Sequence, residues 1–308
     1  MKIAITGATG FIGQYMVRGM VNAGHSVRAL CRPGREHALD LPEEGEVDVH
    51  IGDLTDKASL KNFMVDVDVL IHLASAHDHF SDDVMQKVNV RGSEYLVDEA
   101  KRTSPKARLF IISSAVIGQP VYSYYRDSKR VQEKVFRGSA MDWASFRPTL
   151  VYGKGDDRHT GKLLRRCAKK GSYWVPHRGN SKINPVHVDD VVEAIIKFFD
   201  FKRGVDCVYE LAGPEGISFN EFVDLTIKAA GGKLKRRNIP RKWANRLIFL
   251  KGLVTDNSED RRASAYFSLH HDHDITNAVY ELGWKPRTYA EGIAEVAQGD
   301  WWHTAQEE

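Results

Sequence analysis

The chain is poor in the features that would place it across a membrane, in a disulfide scaffold or on nucleic acid. No apolar run in its 308 residues approaches the roughly 20 needed to cross a bilayer. Cysteine is scarce. Cys31, Cys167 and Cys207 are odd in number, far apart and in no metal-ligand spacing, which points to a reducing, cytoplasmic setting and to no bound metal. Lys and Arg (44) barely exceed Asp and Glu (41), and the formal charge of +3 is too small to argue for a nucleic-acid partner. Internal repeats and low-complexity tracts are absent, and the first strand pattern begins at residue 2, so no secretory leader is expected. What remains, 42% hydrophobic and 28% charged, is a globular composition long enough to bury one large core or two intertwined ones.

Glycine is present where it carries information. Residues 2–6 (KIAIT) read as a buried strand that runs directly into Gly7, Gly10 and Gly13, and residues 11–23 then show apolar positions at helical spacing. A strand, a glycine-rich turn and a helix N-terminus together make a phosphate cradle: the glycines allow a tight turn and close approach, and the helix points unpaired N–H groups at the anion. The pattern predicts a dinucleotide site. Gly24-His25 ends the helix, and residues 26–31 (SVRALC) form the next strand.

Strand and helix patterns alternate to about residue 150, the signature of a doubly wound parallel sheet in the α/β class. Further strands are expected over residues 47–51, 69–73, 109–113 and 143–147, and helices over 57–63, 82–102 and 125–138. Beyond Gly153 the regularity fades and returns at 185–199 and 208–212. The expected division is a Rossmann-type domain over 1–152, rejoined by about 183–212, and a smaller, interleaved substrate domain over 153–182 and 213–308.

With these elements placed, the chain resembles the short-chain dehydrogenase/reductase superfamily in its extended or atypical branch of epimerase-like and dihydroflavonol-reductase-like proteins. The resemblance rests on TGATGFIG, GDL at 52–54, HLASA at 72–76, NVRG at 89–92, ISSAVIG at 112–118, YRDSK at 125–129, RPTLVYG at 147–153, PVHVDDV at 185–191, YELAGPEGIS at 209–218 and ELGWKP at 281–286, in the family's order. It implies a cofactor held by Gly7, Thr9, Gly10, Phe11, Ile12 and Gly13, with Asp53 and Leu54 at the adenine. Leu73, Ala74 and Ser75 would run along the cofactor backbone, and Pro148 to Val151 would line the nicotinamide amide.

Tyr125 and Lys129 stand at i and i+4, on one face of the helix between two sheet strands, near the carboxyl edge where ligands bind. A free tyrosine, with a pKa of about 10, is a poor base at neutral pH. A neighbouring ammonium favours phenolate and brings the hydroxyl into range as a general acid or base, while a Ser114 hydroxyl bonds the same substrate oxygen. Ser113 remains an alternative to Ser114. In the family, the lysine also holds the nicotinamide ribose. After the second strand an acid would bind the ribose 2′-hydroxyl of NAD, but this chain has Arg32, which fits the 2′-phosphate of NADP. NADP is therefore the expected cofactor, with NAD the alternative.

His77, His79, Tyr152 and Asn184 are the candidate substrate contacts. Two departures weaken a nucleotide-sugar substrate: only seven residues, GQPVYSY, separate Ile117 from Tyr125, and Ile183 stands where such enzymes carry a diphosphate-gripping arginine, with Lys182 one residue off. His270 to Asp274 looks metal-like but reads as a turn before a helix. The basic stretch 233–254 reads as a small-domain helix with its apolar face inward, against the alternative of an anionic surface or acidic substrate. The expected activity is NADP-dependent oxidation or reduction of a carbonyl or alcohol on a small molecule. A nucleotide-sugar epimerase or dehydratase and a non-enzymatic NADP-binding regulator or assembly factor are the alternatives, and a homodimer is left open.

Overall fold

The computed structural model describes residues 1–43, 45–120, 122–169, 171–200, 206–232, 234–240, 242, 243, 246, 273–299, 301 and 302. In chain order β1 (Lys2–Thr6), α1 (Phe11–Asn22), β2 (Ser26–Cys31), β3 (Val47–Ile51), β4 (Val69–His72), α2 (Asp82–Met85), α3 (Gly92–Thr103), β5 (Arg108–Ile112), α4 (Tyr124–Arg137) and β6 (Trp143–Pro148) come first. They are followed by β7 (Val151–Tyr152), α5 (Thr160–Cys167), β8 (Gly171–Val175), β9 (Lys182–Ile183), β10 (Val186–His187), α6 (Val188–Asp200), β11 (Cys207–Leu211) and β12 (Ile217–Ser218). The last elements are α7 (Phe219–Ala229), β13 (Leu234–Asn238), α8 (Thr276–Leu282) and α9 (Tyr289–Val296).

The chain packs as two compact units. The first comprises Met1–Pro148, Val191–Leu211 and Asn277–Trp284; the second comprises Thr149–Asp190, Ala212–Thr276 and Lys285–Glu308. A seven-stranded sheet in the order β11-β6-β5-β4-β1-β2-β3 forms the first, and every pairing is parallel. Such a sheet is covered on both faces, so its strands read as continuous apolar runs. Leu109 and Ile111 join Phe63, Leu96 and Phe136 on one face, while Phe110 meets the edges of Phe146 and Phe198 on the other. The order reverses between β1 and β4, and crevices form at the carboxyl ends beside such a reversal.

The second unit has its own core, built from Leu163, Val175, Ile183, Phe222, Tyr289 and Trp302 among others, and three two-stranded ladders, β7 with β10, β9 with β12 and β8 with β13. A buried ion pair ties its last segment to the start of α6. Arg287 gives its backbone N–H, Nε and Nη2 to the Asp190 carboxylate at 2.9–3.0 Å, and Nη1 reaches Glu295 at 2.7 Å. Asp190 is 2% exposed, so its charge depends on protein partners and not on water.

Three sequence expectations change. Residues 57–63 form only a tight turn over Lys57–Leu60, because Asn62 takes a left-handed φ of 67°. The helix expected over 82–102 is broken into α2 and α3 by a wider π turn, Gln86–Arg91. Within the basic stretch, Leu234–Asn238 is a strand beside β8, not the first turns of a helix, and Trp243 is exposed; most of the stretch lies outside the described residues, as do His270 to Asp272. Asp274, at the end of that histidine run, accepts the N–H of Thr276, the first residue of α8, at 2.9 Å.

Replacing Arg287 with Met takes the cation from a buried carboxylate, a change of about 3–5 kcal/mol in comparable pairs. Urea unfolding of Arg287→Met should show a loss of that order, and Asp190→Asn combined with Arg287→Met a smaller one.

Candidate active site

The glycine turn sits at the carboxyl end of β1 and is fixed by backbone contact. Gly7 has φ 75°, and a Cβ there would lie 2.7 Å from Ala74 N; a Cβ on Gly13 would lie 2.0 Å from Gly7 O. Both glycines are therefore required by the protein itself. Gly10 is less constrained: its Cβ would meet only Gly7 O, at 3.2 Å, a tight contact but not a clash. Gly10 is also the N-cap of α1 and offers no side chain to the first-turn N–H groups. A glycine turn that leads into uncapped helix donors fits a pyrophosphate. Thr9, Phe11 and Ile12 are half-buried around that turn.

Arg32 follows β2 directly and is exposed, with no side-chain partner among the described residues. Asp53 has one carboxylate oxygen turned onto its own loop, accepting from Thr55 N at 2.8 Å and Thr55 Oγ1 at 2.7 Å. Leu54 is buried against Gly92, where an added Cβ would come within 2.8 Å. Leu73, Ala74 and Ser75 leave β4 half-buried, and Ala74 donates its N–H to Thr6 Oγ1 at 3.3 Å.

Lys129 is 2% exposed, yet no carboxylate touches its Nζ. It donates instead to Ile112 O at 3.0 Å and to Gln132 Oε1 at 2.5 Å. Burial pushes its pKa down to about 7, against a smaller upward pull from Glu133. Gln132 turns its amide nitrogen to His72 Nε2 at 2.9 Å and Ser93 Oγ at 3.2 Å, and His72 Nδ1 meets Thr6 Oγ1 at 2.7 Å. Burial, then the Lys129 charge, hold His72 down at about 3, so the ring is neutral. Its partners assign the proton to Nδ1.

Tyr125 lies half-buried in the first turn of α4, its ring 5.1 Å from that of His77, which in turn stacks at 6.3 Å on the exposed His79. Ser114 is half-buried and its Oγ accepts Val116 N–H at 3.3 Å, a bond that leaves its own proton to give. Ser113 is 5% exposed and helps hold down the Glu133 carboxyl. Glu133 is anchored by Arg147, at 2.6 and 3.1 Å, and by Ser145 at 2.9 Å; burial alone would raise its pKa, but these partners keep it below the usual carboxylate range.

The carboxyl edge of the first unit's sheet thus gathers the glycine turn, Arg32, Asp53, Leu73 to Ser75, Ser114, Tyr125, Lys129 and Pro148, which ends β6. Val151, Tyr152 and Asn184 belong to the second unit. Tyr152, expected at the substrate, is instead a core residue: it is 0% exposed, its hydroxyl lies where a Cβ on Gly292 would be 2.1 Å away, and its ring abuts Tyr289 and His187. Asn184, also expected there, is 6% exposed and donates to Gly213 O at 3.4 Å, while its carbonyl takes the Thr149 hydroxyl.

The profile of the NAD dependent epimerase/dehydratase family matches residues 3–212. The chain belongs to this family, within the extended short-chain dehydrogenases/reductases. It is 30% identical over 198 residues to ceramide reductase of Caulobacter vibrioides, covering 64% of this chain and 60% of the relative's length. With 2-alkyl-3-oxoalkanoate reductase of Stenotrophomonas maltophilia it shares 26% over 273 residues, 80% of this chain and 81% of that protein. A solved structure, UDP-glucuronic acid 4-epimerase from Bacillus cereus in complex with NAD, superposes with a TM-score of 0.75 at 18% identity, covering 98% of this chain and 96% of the other. That last likeness bears on the fold alone.

The family's motifs did not single out Gln132 or the role of Asn89. Asn89, 0% exposed in the π turn, clamps Ala76 through its N–H at 2.7 Å and its carbonyl at 2.9 Å, and reaches Ser128 Oγ at 2.9 Å. The NVRG segment held that signal. Gln132 had only its place three residues after Lys129, on the same side of α4.

Burial of Lys129 has a measurable consequence. Its folded pKa near 7 lies below the unfolded value of about 10.4, so between those values the unfolded chain binds the extra proton and stability rises with pH. The stability of the cofactor-free protein relative to Lys129→Met should therefore increase from pH 7 to pH 10, by up to about 1.4 kcal/mol per unit. Urea titrations of both proteins across that range check it; a flat difference contradicts a depressed lysine.

Proposed function

We propose that the chain is an NADP-dependent oxidoreductase that interconverts a carbonyl and an alcohol on a small organic substrate, with Ser114, Tyr125 and Lys129 as its working groups. The observation that carries this reading is Lys129: an ammonium buried without a carboxylate, one helical turn from a half-exposed tyrosine at the sheet's carboxyl edge. A structural role would pair such a charge. Lys129 raises the electrostatic potential at Tyr125 and favours its phenolate, so Tyr125 passes a proton to a carbonyl oxygen, or takes one from an alcohol, near neutral pH. Ser114 donates a hydrogen bond to the same oxygen as negative charge grows there. When bound, the nicotinamide supplies or accepts the hydride.

The cofactor reading rests on Arg32 at the end of β2, free of side-chain partners among the described residues and with no acid on that turn. The Gly7 to Gly13 turn would hold the pyrophosphate, Asp53 and Leu54 the adenine, Leu73 to Ser75 the cofactor backbone, and Pro148 the nicotinamide amide. His77, whose ring lies 5.1 Å from that of Tyr125, and His79 would be the substrate contacts. Against a nucleotide sugar stands Ile183, which is buried and pairs with Ile217 in a ladder where a diphosphate would need an arginine. The name of 2-alkyl-3-oxoalkanoate reductase makes a 3-oxo acid the first substrate to try.

Calorimetric titration should show NADP(H) bound more tightly than NAD(H), by the 1.5–3 kcal/mol typical of roughly one charge-assisted contact. Arg32→Asp should erase or reverse the preference, and equal affinities in the parent protein would remove it. With a turned-over ketone in hand, Tyr125→Phe should keep cofactor affinity and lose roughly 10²–10⁴-fold in kcat. Normal turnover by that variant would sink the assignment of the acid, and cofactor binding without any turnover in a broad carbonyl screen would favour a regulator.

A further inference from the structure

The small net charge conceals a segregation. Residues 158–188 contain eight Lys or Arg and residues 225–255 contain nine, and neither stretch has a single Asp or Glu. The second unit joins these two stretches directly, because β8 from the first pairs with β13 from the second. In their parallel register Trp174 stands opposite Arg237 and Ser172 opposite Lys235, so these four share one face of the ribbon. The other face is the core side. Val175 and Leu234 are buried there, and Arg236 is consumed by Asp224 at 2.7 Å and Asn220 at 2.8 Å.

The outward face has no such partners. Trp174 is 61% exposed, and no carboxylate pairs with Lys235 or Arg237 among the described residues. The chain leaves the ribbon at Ile239, which bonds Val175 O, and turns through Pro240 to a second exposed tryptophan, Trp243 at 60%. The exposed indole thus stands beside unpaired cations, an apolar body next to positive charge. Indoles settle at the boundary between headgroups and acyl chains, and Lys and Arg next to them attract anionic lipid.

We propose that this face of the second unit docks the protein on the surface of a membrane that contains anionic lipid, with Trp174 and Trp243 entering the headgroup layer and Lys235 and Arg237 holding the phosphates. A nucleic acid fits less well: its affinity comes from many cations in line along a run of phosphates, whereas the ribbon shows two beside a bulky indole. Docking is reversible and surface-bound, since no helix among the described residues is long and apolar enough to cross a bilayer. It is independent of the catalytic reading above.

The test is co-sedimentation of the full chain with vesicles of pure phosphatidylcholine and with vesicles containing roughly one-third phosphatidylglycerol. Binding is expected to the anionic vesicles only, with loss at about 0.5 M salt, where charges are screened within a few ångströms. Lys235→Glu/Arg237→Glu should weaken it about tenfold or more, and Trp174→Ser several-fold, with thermal midpoint and NADP affinity as in the parent. Absent or equal binding to both vesicle types overturns the proposal, as does indifference to charge reversal in a folded variant. Tighter binding of a single-stranded oligonucleotide than of anionic vesicles overturns it in favour of nucleic acid. If the variants do not fold, the lipid and salt dependence of the parent still decides.

Discussion

A buried ammonium without a counter-ion is the constraint around which the first unit is arranged. Spacing on α4 sets its place: Tyr125, Lys129 and Glu133 fall at successive turns on one stripe. The stripe is anchored at its far end, where Glu133 takes two bonds from Arg147 on β6 and one from Ser145. That carboxylate is near enough to favour the ammonium and too firmly held by Arg147 to neutralise it. Polar but uncharged acceptors, Ile112 O and Gln132 Oε1, do the local solvation. The lysine is kept titratable near neutrality, which a paired lysine would not be.

From Gln132 the polar contacts continue inward to His72 and then to Thr6, so α4, β4 and β1 are linked through the core at the point where the strand order reverses. Thr6 also receives the Ala74 N–H, and Ala74 is the residue that Gly7 approaches. The glycine turn and the lysine are thus parts of one satisfied network. Buried polar networks specify a single arrangement because any slip leaves groups unpaired. Neutral His72 suits that place, since a second charge would compete with Lys129 for the same scarce solvation.

The seven-stranded sheet and the glycine turn were legible in the sequence because both depend on local pattern: apolar runs of strand length and glycines that backbone contact enforces. Asn89 and Gln132 were not, since a polar residue on a helix normally reads as solvent-facing and only the fold shows its partner. The π turn at Gln86–Arg91 escapes for a related reason. One extra residue in a turn barely alters hydrophobic spacing, yet it swings Asn89 inward to Ala76. Tyr152 was misplaced because a family motif fixes where a residue lies in the chain and not which way its ring points. The basic stretch follows the same rule: its apolar residues fit a helical stripe, but β8 offered a strand partner, and pairing overrode propensity over Leu234–Asn238.

The basic side chains divide into two classes with different consequences. Arg28 lies against Asp48 at 2.6 Å, Arg147 against Glu133, Arg236 against Asp224 and Arg287 against Asp190. In these the cation has already exchanged water for a carboxylate, and an incoming anion would have to break that contact. Arg32, Lys235 and Arg237 have made no such exchange among the described residues. An exposed unpaired cation keeps its hydration until an anion offers better, and it loses little in releasing water to a phosphate oxygen. Lack of a carboxylate partner is thus a condition for receiving an anion, which the proposed roles of Arg32 in one unit and of Lys235 and Arg237 in the other both meet. A net charge near zero is compatible with both, because the acids that balance the count lie elsewhere in the chain.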